Sequence, residues 1–323
     1  MRFVIYGAGA IGGVVGARLH QAGHDVQLIA RGAHHDAIAA HGLTLQTPTE
    51  TVTLRIPVAD TPARADIGAD DVVLLATKSQ DTWAALAALR DARPDGVPVV
   101  CLQNGVENER VALRMLPDVY GAVVISPTAH LDPGTVQAYA AKVTGAIDVG
   151  RYPHGVDGRC RAVCQALAGA RFDSEPRADI MRHKHAKLLN NLGNAIEAIC
   201  GQAADSNELA LRVREEGRAV LRAAGIEFDV PEITDVRGRW QRWGVSEIAG
   251  RPRGGGSTWQ SVVRGAGVET DYLNGEIVLR GREHGVPAPL NELLCRLVQE
   301  TLRDGHEPGW LTPAAVLAQV EAN

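Results

Sequence analysis

No apolar stretch in this chain is long enough to cross a bilayer, because its hydrophobic windows are short or broken by charge. A helical membrane span is therefore not expected. The chain also lacks a basic run able to neutralise a phosphate backbone, and its formal net charge of −5 argues against a nucleic-acid partner. The first apolar run breaks into glycines with no cleavage site behind it, so a secretory leader is not expected and a cytoplasmic location is. Five cysteines, Cys101, Cys160, Cys164, Cys200 and Cys295, make an odd set that suits reduced thiols better than a disulfide framework. Cys160 and Cys164 lie one helical turn apart, yet no second Cys or His pair at ligand spacing accompanies them, so no metal is assigned. Internal repeats are missing, and the only low-complexity tract is Gly254, Gly255, Gly256.

What is present is a 323-residue chain, 45% hydrophobic and 22% charged, long enough for two domains each with its own core. Its first 31 residues organise the rest. A short apolar run (2–6) meets Gly7, Ala8, Gly9, Ala10, Ile11, Gly12, after which 14–22 reads as a helix, Gly23 as its stop and 25–30 as a second strand. Strand, glycine turn and helix in that order form the context that confirms a dinucleotide fingerprint. Gly7 permits the tight exit from the strand, Gly9 admits a pyrophosphate against the backbone, and Gly12 lets the helix lie close to the sheet. At the end of the second strand, where a carboxylate would hold the ribose diol of NAD, stands Arg31. A guanidinium has no acceptor for a diol but pairs with a phosphate through a charge-assisted fork, which favours NADPH. The alternative for Arg31 is a solvated strand-end charge. His34 and His35 are candidate additions to a phosphate site, or solvated loop histidines.

Farther on, 33–40 reads as a helix and 43–46 with 51–58 as a hairpin of alternating strands. The run 70–76 is apolar throughout, as in a strand buried on both faces of a parallel sheet, and Thr77, Lys78, Ser79 follow it. The pattern repeats with a strand at 98–102, then Gln103, Asn104, Gly105. Ligands of open α/β sheets bind beyond the carboxyl ends of strands, which is where Lys78 and Asn104 fall. Taken singly, Lys78 reads equally well as a surface lysine and Asn104-Gly105 as a plain turn. Strands at 119–127, 135–149 and 171–174 and a helix at 158–170 complete the alternating part. The period then changes near Pro176, giving domains 1–176 and 177–323, the second nearly all helical with Gly/Pro loops at 225–231, 250–256 and 285–289.

The stretch 180–201 reads as one helix whose Lys187, Asn191 and Asn194 share a face at i, i+4 and i+7. Asparagine is a poor helix former, so a polar stripe facing a cleft explains these positions better than a solvated edge does. Ser257 follows the triple glycine, and 268–275 begins another helix, where Glu269 and Asp271 double as dipole-compensating carboxylates.

With G-A-G-A-I-G and Arg31, T-K-S at 77–79, Q-N-G at 103–105, K-L-L-N-N at 187–191, E-T-D-Y-L-N-G at 269–275 and H-G-V-P-A-P at 284–289, the chain resembles the ketopantoate reductases (2-dehydropantoate 2-reductases) over nearly its whole length. The resemblance implies an α/β Rossmann-type domain followed by an all-helical domain, with the active site in the cleft between them. It implies reduction of a 2-oxo acid, 2-dehydropantoate to (R)-pantoate, by NADPH, in pantothenate and coenzyme A biosynthesis. In it Lys187 is the general acid and Glu269 holds the substrate hydroxyl, with Asn104, Asn191 and Asn194 in the same pocket and Ser257 on the substrate carboxylate. Gly7, Ala8, Gly9, Ala10, Ile11, Gly12, Arg31, Lys78, Asn104 and Glu269 form the coenzyme side. The family pattern puts a second helix asparagine eight residues after the lysine, where this chain has Ala195 and carries Asn194 one position earlier. The stretch 238–256 is longer and more irregular than that pattern. Two other readings stay open, a reductase of another bulky 2-oxo acid and an NADPH-binding redox sensor without turnover, as does assembly into a homodimer.

Overall fold

The computed structural model describes residues 1–228, 236–250 and 254–321. Contacts divide the chain into two compact units, Met1–Met181 with Asp235–Arg253, and Arg182–Thr234 with Gly254–Asn323.

In the first unit the apolar runs become strands covered on both faces. Strands β1 (Phe3–Tyr6), β2 (Val26–Ile29), β5 (Val58–Ala59), β6 (Val72–Leu75), β7 (Val99–Cys101), β8 (Val119–Ile125), β11 (Gly145–Arg151) and β12 (Phe172–Asp173) form one sheet in the order β12-β11-β8-β7-β6-β1-β2-β5. The pairs from β5 through β8 are parallel, while β8 and β11 run antiparallel. The chain leaves β1 for β2 on one side and returns to β6 on the other, which puts a topological switch at β1. The glycine loop, Arg31, the T-K-S turn and the Q-N-G turn all follow carboxyl ends of neighbouring parallel strands.

A second sheet, absent from the sequence reading, has the order β4-β3-β10-β9, from β3 (Leu43–Gln46), β4 (Thr51–Leu54), β9 (Thr128–Ala129) and β10 (Thr135–Ala138). The expected hairpin forms between β3 and β4, but β4 stops at Leu54 and the remainder of 51–58 crosses to pair β5 with β2. The expected strand region 135–149 likewise splits, β10 joining the small sheet and β11 the large one. Helix α1 (Ala10–Gln21) is pressed by both sheets: a Cβ at Gly16 would lie 2.8 Å from Leu28 Cδ2, and one at Gly13 2.7 Å from Val136 Cγ1. Its glycines are therefore contact surfaces as well as turn formers.

Residues 236–250 were expected with the helical domain, yet they pack on the first unit. Trp243 is 2% exposed against Ala140 and Ala146, its Nε1 donates to Asp173 Oδ2 at 2.9 Å, and Val245 bridges Ala140. Burying one indole outweighs the alternative of leaving it in water by a few kcal/mol, about 2–3 on area grounds. Part of the stretch 238–256 is thus helix, Val236–Trp243, while 251–253, like 229–231 of the loop expected at 225–231, lie outside the described residues.

The second unit is helical. Helix α8 (Asn207–Ala223) buries Leu209, Val213, Gly217, Val220 and Leu221, and α12 (Pro289–Asp304) buries Leu290, Leu293, Leu294, Leu297 and Val298, both with the spacing of a core-facing stripe. Gly217 lets α8 approach the helix of the lysine, since a Cβ there would sit 2.7 Å from Leu189 Cδ2. The expected single helix 180–201 is two: α6 (Ile180–Asn191) ends, and α7 (Asn194–Cys200) restarts. At the break Ile196 N–H bonds to Gly193 O, and the Leu192 carbonyl accepts instead from Asn274 Nδ2 at 3.1 Å. Asn274 also donates to Asn291 Oδ1, and Asn291 Nδ2 donates to Val213 O and Glu216 Oε2. The Glu216 carboxylate closes the network by accepting the backbone N–H groups of Leu290 and Asn291 at the start of α12. Residue 269 does not open a helix either. It precedes a 3-10 turn, Thr270–Tyr272, before α11 (Asn274–His284). Among the described residues no helix is long and apolar enough to cross a membrane.

Candidate active site

The candidate coenzyme site of the first unit is mostly backbone. Gly7 has φ +102°, and a Cβ there would lie 2.8 Å from Ala76 C and Thr77 N, so neither the angle nor the space admits a side chain. At Gly12 a Cβ would fall 2.1 Å from Gly7 O, whereas at Gly9 it meets nothing within 4 Å. Gly7 and Gly12 thus shape the turn, and Gly9 leaves one side of it open. Gly7 N–H and Ala8 N–H both point back to Ile29 O, at 3.0 and 3.2 Å, which ties the loop to β2. Ala10 and Ile11 open α1, whose first turn carries no acidic residue. A helix N-terminus behind a glycine opening, with no carboxylate beside it, fits a pyrophosphate.

Arg31 is 73% exposed and rests against Asp81, Nη2 to Oδ2 at 3.4 Å. An exposed pair of that length contributes under about 1 kcal/mol, so the guanidinium is available to a stronger anion. The expected phosphate role of His34 is corrected. Its two ring nitrogens bond Ala8 O at 2.7 Å and Gly134 N–H at 2.9 Å, leaving none for a ligand. His35 sits against Asp36 instead, at 3.0 Å.

Lys78 and Asn104 are half-buried at the ends of β6 and β7, in loops locked together from below. Asn108, 2% exposed at the start of α4 (Asn108–Leu113), donates to Asn104 O at 2.9 Å and to Ser79 Oγ at 3.2 Å. It accepts from Thr82 Oγ1 at 2.7 Å, and Gln103 Nε2 reaches Thr82 and Thr77 at 2.7 and 3.3 Å. A buried network of this kind holds both turns in one geometry. Sequence reasoning missed Asn108, although an amide one helical turn after Q-N-G was a visible signal.

The second unit supplies side chains. Lys187 is half-buried on α6, and its ammonium is lowered to about 7, first by burial and then by the Lys184 cation, with the Glu269 carboxylate pulling the other way. Lys187 and Glu269 are thereby electrostatic neighbours. One turn along α6, Asn191 Nδ2 is buried and makes no hydrogen bond among the described residues. Such an orphan costs about 1–3 kcal/mol unless a ligand oxygen takes it.

Asn194 lies past the break and donates from Nδ2 to Ser257 Oγ at 3.3 Å, so these two expected residues meet. After the break Ala195 is 1% exposed in the core while Asn194 meets Ser257. Glu197, not anticipated from the sequence, accepts Gly256 N–H at 2.7 Å and anchors the start of α10 (Ser257–Val263). A Cβ at Gly256 would come within 3.1 Å of Asn194 Oδ1 and Glu197 Oε2, which accounts for the last of the three glycines.

Two family models together cover most of the chain. Residues 3–154 match the family model described as ketopantoate reductase PanE/ApbA, and residues 179–301 match its C-terminal counterpart. A 2-dehydropantoate 2-reductase of Pyrococcus horikoshii is 31% identical over 309 residues, 93% of this chain and 97% of the relative. Among solved structures, a PanE/ApbA family ketopantoate reductase from Ralstonia eutropha JMP134 superposes with a TM-score of 0.79 at 30% identity, over 95% of this chain and 99% of the other. The ternary structure of a D-mandelate dehydrogenase with NADH and anilino(oxo)acetate gives 0.78 at 23% identity, over 94% and 99%, a likeness of fold.

Proposed function

The chain belongs to the ketopantoate reductase family, and on that premise we propose that it reduces 2-dehydropantoate to (R)-pantoate with NADPH, through Lys187 as general acid. The observation that carries this reading is the Lys187 amine, lowered to about 7 beside Glu269 on a helix whose Asn191 offers a buried, unused donor. NADPH, when bound, supplies the hydride that reaches the carbonyl carbon. Gly7, Ala8, Gly9, Ala10, Ile11 and Gly12 would hold its pyrophosphate, and Arg31 its 2′-phosphate.

As negative charge grows on the carbonyl oxygen, the Lys187 ammonium stabilises it and then donates its proton. One group thus combines electrostatic and acid catalysis. An acid with pKa near the working pH is present in quantity and also gives its proton up readily. Glu269 keeps the amine protonated and accepts from a substrate hydroxyl. Asn191 Nδ2 and Ser257 Oγ are donors suited to substrate oxygens, Ser257 held by Asn194. Lys78 and Asn104, fixed by the Asn108 network, serve the nicotinamide end. We place this chemistry in the cytoplasm, a reading supported by five cysteines that form no disulfide.

The test is loss of NADPH absorbance with 2-dehydropantoate, repeated with NADH and with a panel of other 2-oxo acids. The reading expects turnover with a marked preference for NADPH and for 2-dehydropantoate. A kcat/KM above about a hundredfold higher for a different 2-oxo acid would replace the substrate, since one methylene contact cannot account for that much. No coenzyme oxidation with any acid would leave the sensor reading in its place.

A further inference from the structure

The imidazole of His34 lies behind the glycine loop, reaching it from the first turn of α2 (Gly32–His41). Nε2 is 2.7 Å from Ala8 O, an acceptor, so Nε2 carries hydrogen. Nδ1 is 2.9 Å from Gly134 N, a donor, so Nδ1 does not. The two bonds together select one neutral tautomer, and an imidazolium would set an N–H against an N–H. Burial lowers the His34 pKa, with the Ala8 carbonyl opposing it.

The far anchor is itself rigid. Gly134 closes a turn in which Thr135 N–H bonds Asp132 O, its own carbonyl accepts Thr44 N–H from β3 at 2.8 Å, and its φ of +77° demands glycine. His34 therefore strings the coenzyme loop to the small sheet, packed on the His130 ring at a centroid distance of 4.1 Å.

The consequence lies in the next peptide. A trans peptide points its C=O and its N–H in opposite directions, so holding Ala8 C=O toward His34 turns Gly9 N–H away from it. Gly9 N–H makes no hydrogen bond within the described residues, Gly9 is partly exposed, and the space about its Cβ position is open to 4 Å. We propose that His34 is a positioning residue for coenzyme binding: its neutral imidazole, held between Ala8 and Gly134, fixes the Ala8–Gly9 peptide so that Gly9 N–H meets the pyrophosphate. This rests on the coenzyme reading above and adds a part of the chain outside the fingerprint to the phosphate site.

Fluorescence titration with NADPH of the wild type, His34→Phe and His34→Gln tests it, with steady-state kinetics and nitrogen-15 NMR of the wild-type imidazole at pH 7. Phe keeps the ring and removes both polar atoms, while Gln keeps a donor for Ala8. The expected result is a Kd and KM for NADPH raised about tenfold in His34→Phe, the loss of one oriented hydrogen bond. At saturating NADPH its kcat stays within about threefold of wild type, and His34→Gln returns the Kd to within about threefold. The wild-type ring reads as the neutral Nε2–H form. A Kd within twofold of wild type in His34→Phe, a glutamine variant as weak as the phenylalanine one, or an Nδ1–H or charged ring in the wild type overturns the proposal. Should His34→Phe fail to fold, the glutamine variant and the wild-type NMR decide by the same criteria. A wild type that does not bind NADPH at all would instead remove the coenzyme reading, and this inference with it.

Discussion

On the proposed reading the two units recognise their ligands by opposite means. The first works by subtraction: Gly7, Gly9 and Gly12 matter for the Cβ atoms they lack, and the groups offered to a phosphate are backbone N–H donors whose direction the strand and helix set. The second works by addition. There Lys187, Glu269, Asn191, Asn194 and Ser257 would act through side chains, and some depend on a neighbour for state or place, as Lys187 does on Lys184 and Glu269, and Ser257 on Asn194. A backbone site tolerates little change of residue but needs few partners, whereas a side-chain site must be supported by others. In the second unit the Asn274-Asn291-Glu216 set is such a support.

The sharpest way to break this contrast is Lys187→Ala. It should lower kcat by about two to four decades, the loss of a positioned acid, while NADPH binding measured by fluorescence stays as in the wild type. Equal losses in kcat and coenzyme affinity would mean that the two units do not divide the work.

Next in size is Asn274→Ala, which strips Leu192 O and Asn291 Oδ1 of their donor. Leaving buried acceptors unpaired should cost about 1–3 kcal/mol in a urea melt. If the break in the lysine helix is held from there, kcat also falls, and unchanged kcat at full folding would detach the network from the site.

Arg31→Ala probes the one side chain on which the first unit depends for its choice of coenzyme. The ratio of kcat/KM for NADPH over NADH should fall about tenfold or more, the contribution of a charge-assisted bond to the 2′-phosphate. An unchanged ratio would return Arg31 to a solvated partner of Asp81.

The smallest effect is on pH. Because Lys187 must be protonated to act and is lowered to about 7, kcat should be level in mild acid and fall as pH rises through that value. Lys184→Met removes a cation that pushes the amine down, so the falling limb should move to higher pH, read from the pH–rate profile. A limb that moves down, or stays, would contradict the stated cause.

Much of the first unit was legible beforehand because its rules are local. Strand, glycine turn and helix occupy neighbouring residues, and a positive φ or an absent Cβ constrains only the adjoining turn. The small sheet was not legible, since β3 pairs with β10 some ninety residues farther along the chain and nothing in either segment's alternation names its partner. The role of His34 was not legible for the same reason, the Gly134 N–H that donates to its ring arriving from that distant turn. In the second unit the identities Lys187, Asn191, Asn194, Ser257 and Glu269 were readable as a resemblance, but their geometry was not. An unbroken period over 180–201 implied one helix, and the residue that takes the Leu192 carbonyl is Asn274, far along the sequence.

By itself, then, the amino-acid sequence determined the alternation of buried strands and helices, the glycine loop with Arg31 after it, and the set of polar residues around Lys187, all consequences of side-chain period and backbone freedom over a few residues. Tertiary structure alone decided that 236–250 packs on the first unit, that His34 bonds Ala8 and Gly134 instead of a phosphate, and that Asn194 meets Ser257. Those outcomes turn on which distant carbonyl, amide or apolar surface competes best for a given side chain, and that competition is settled only when the whole core is assembled.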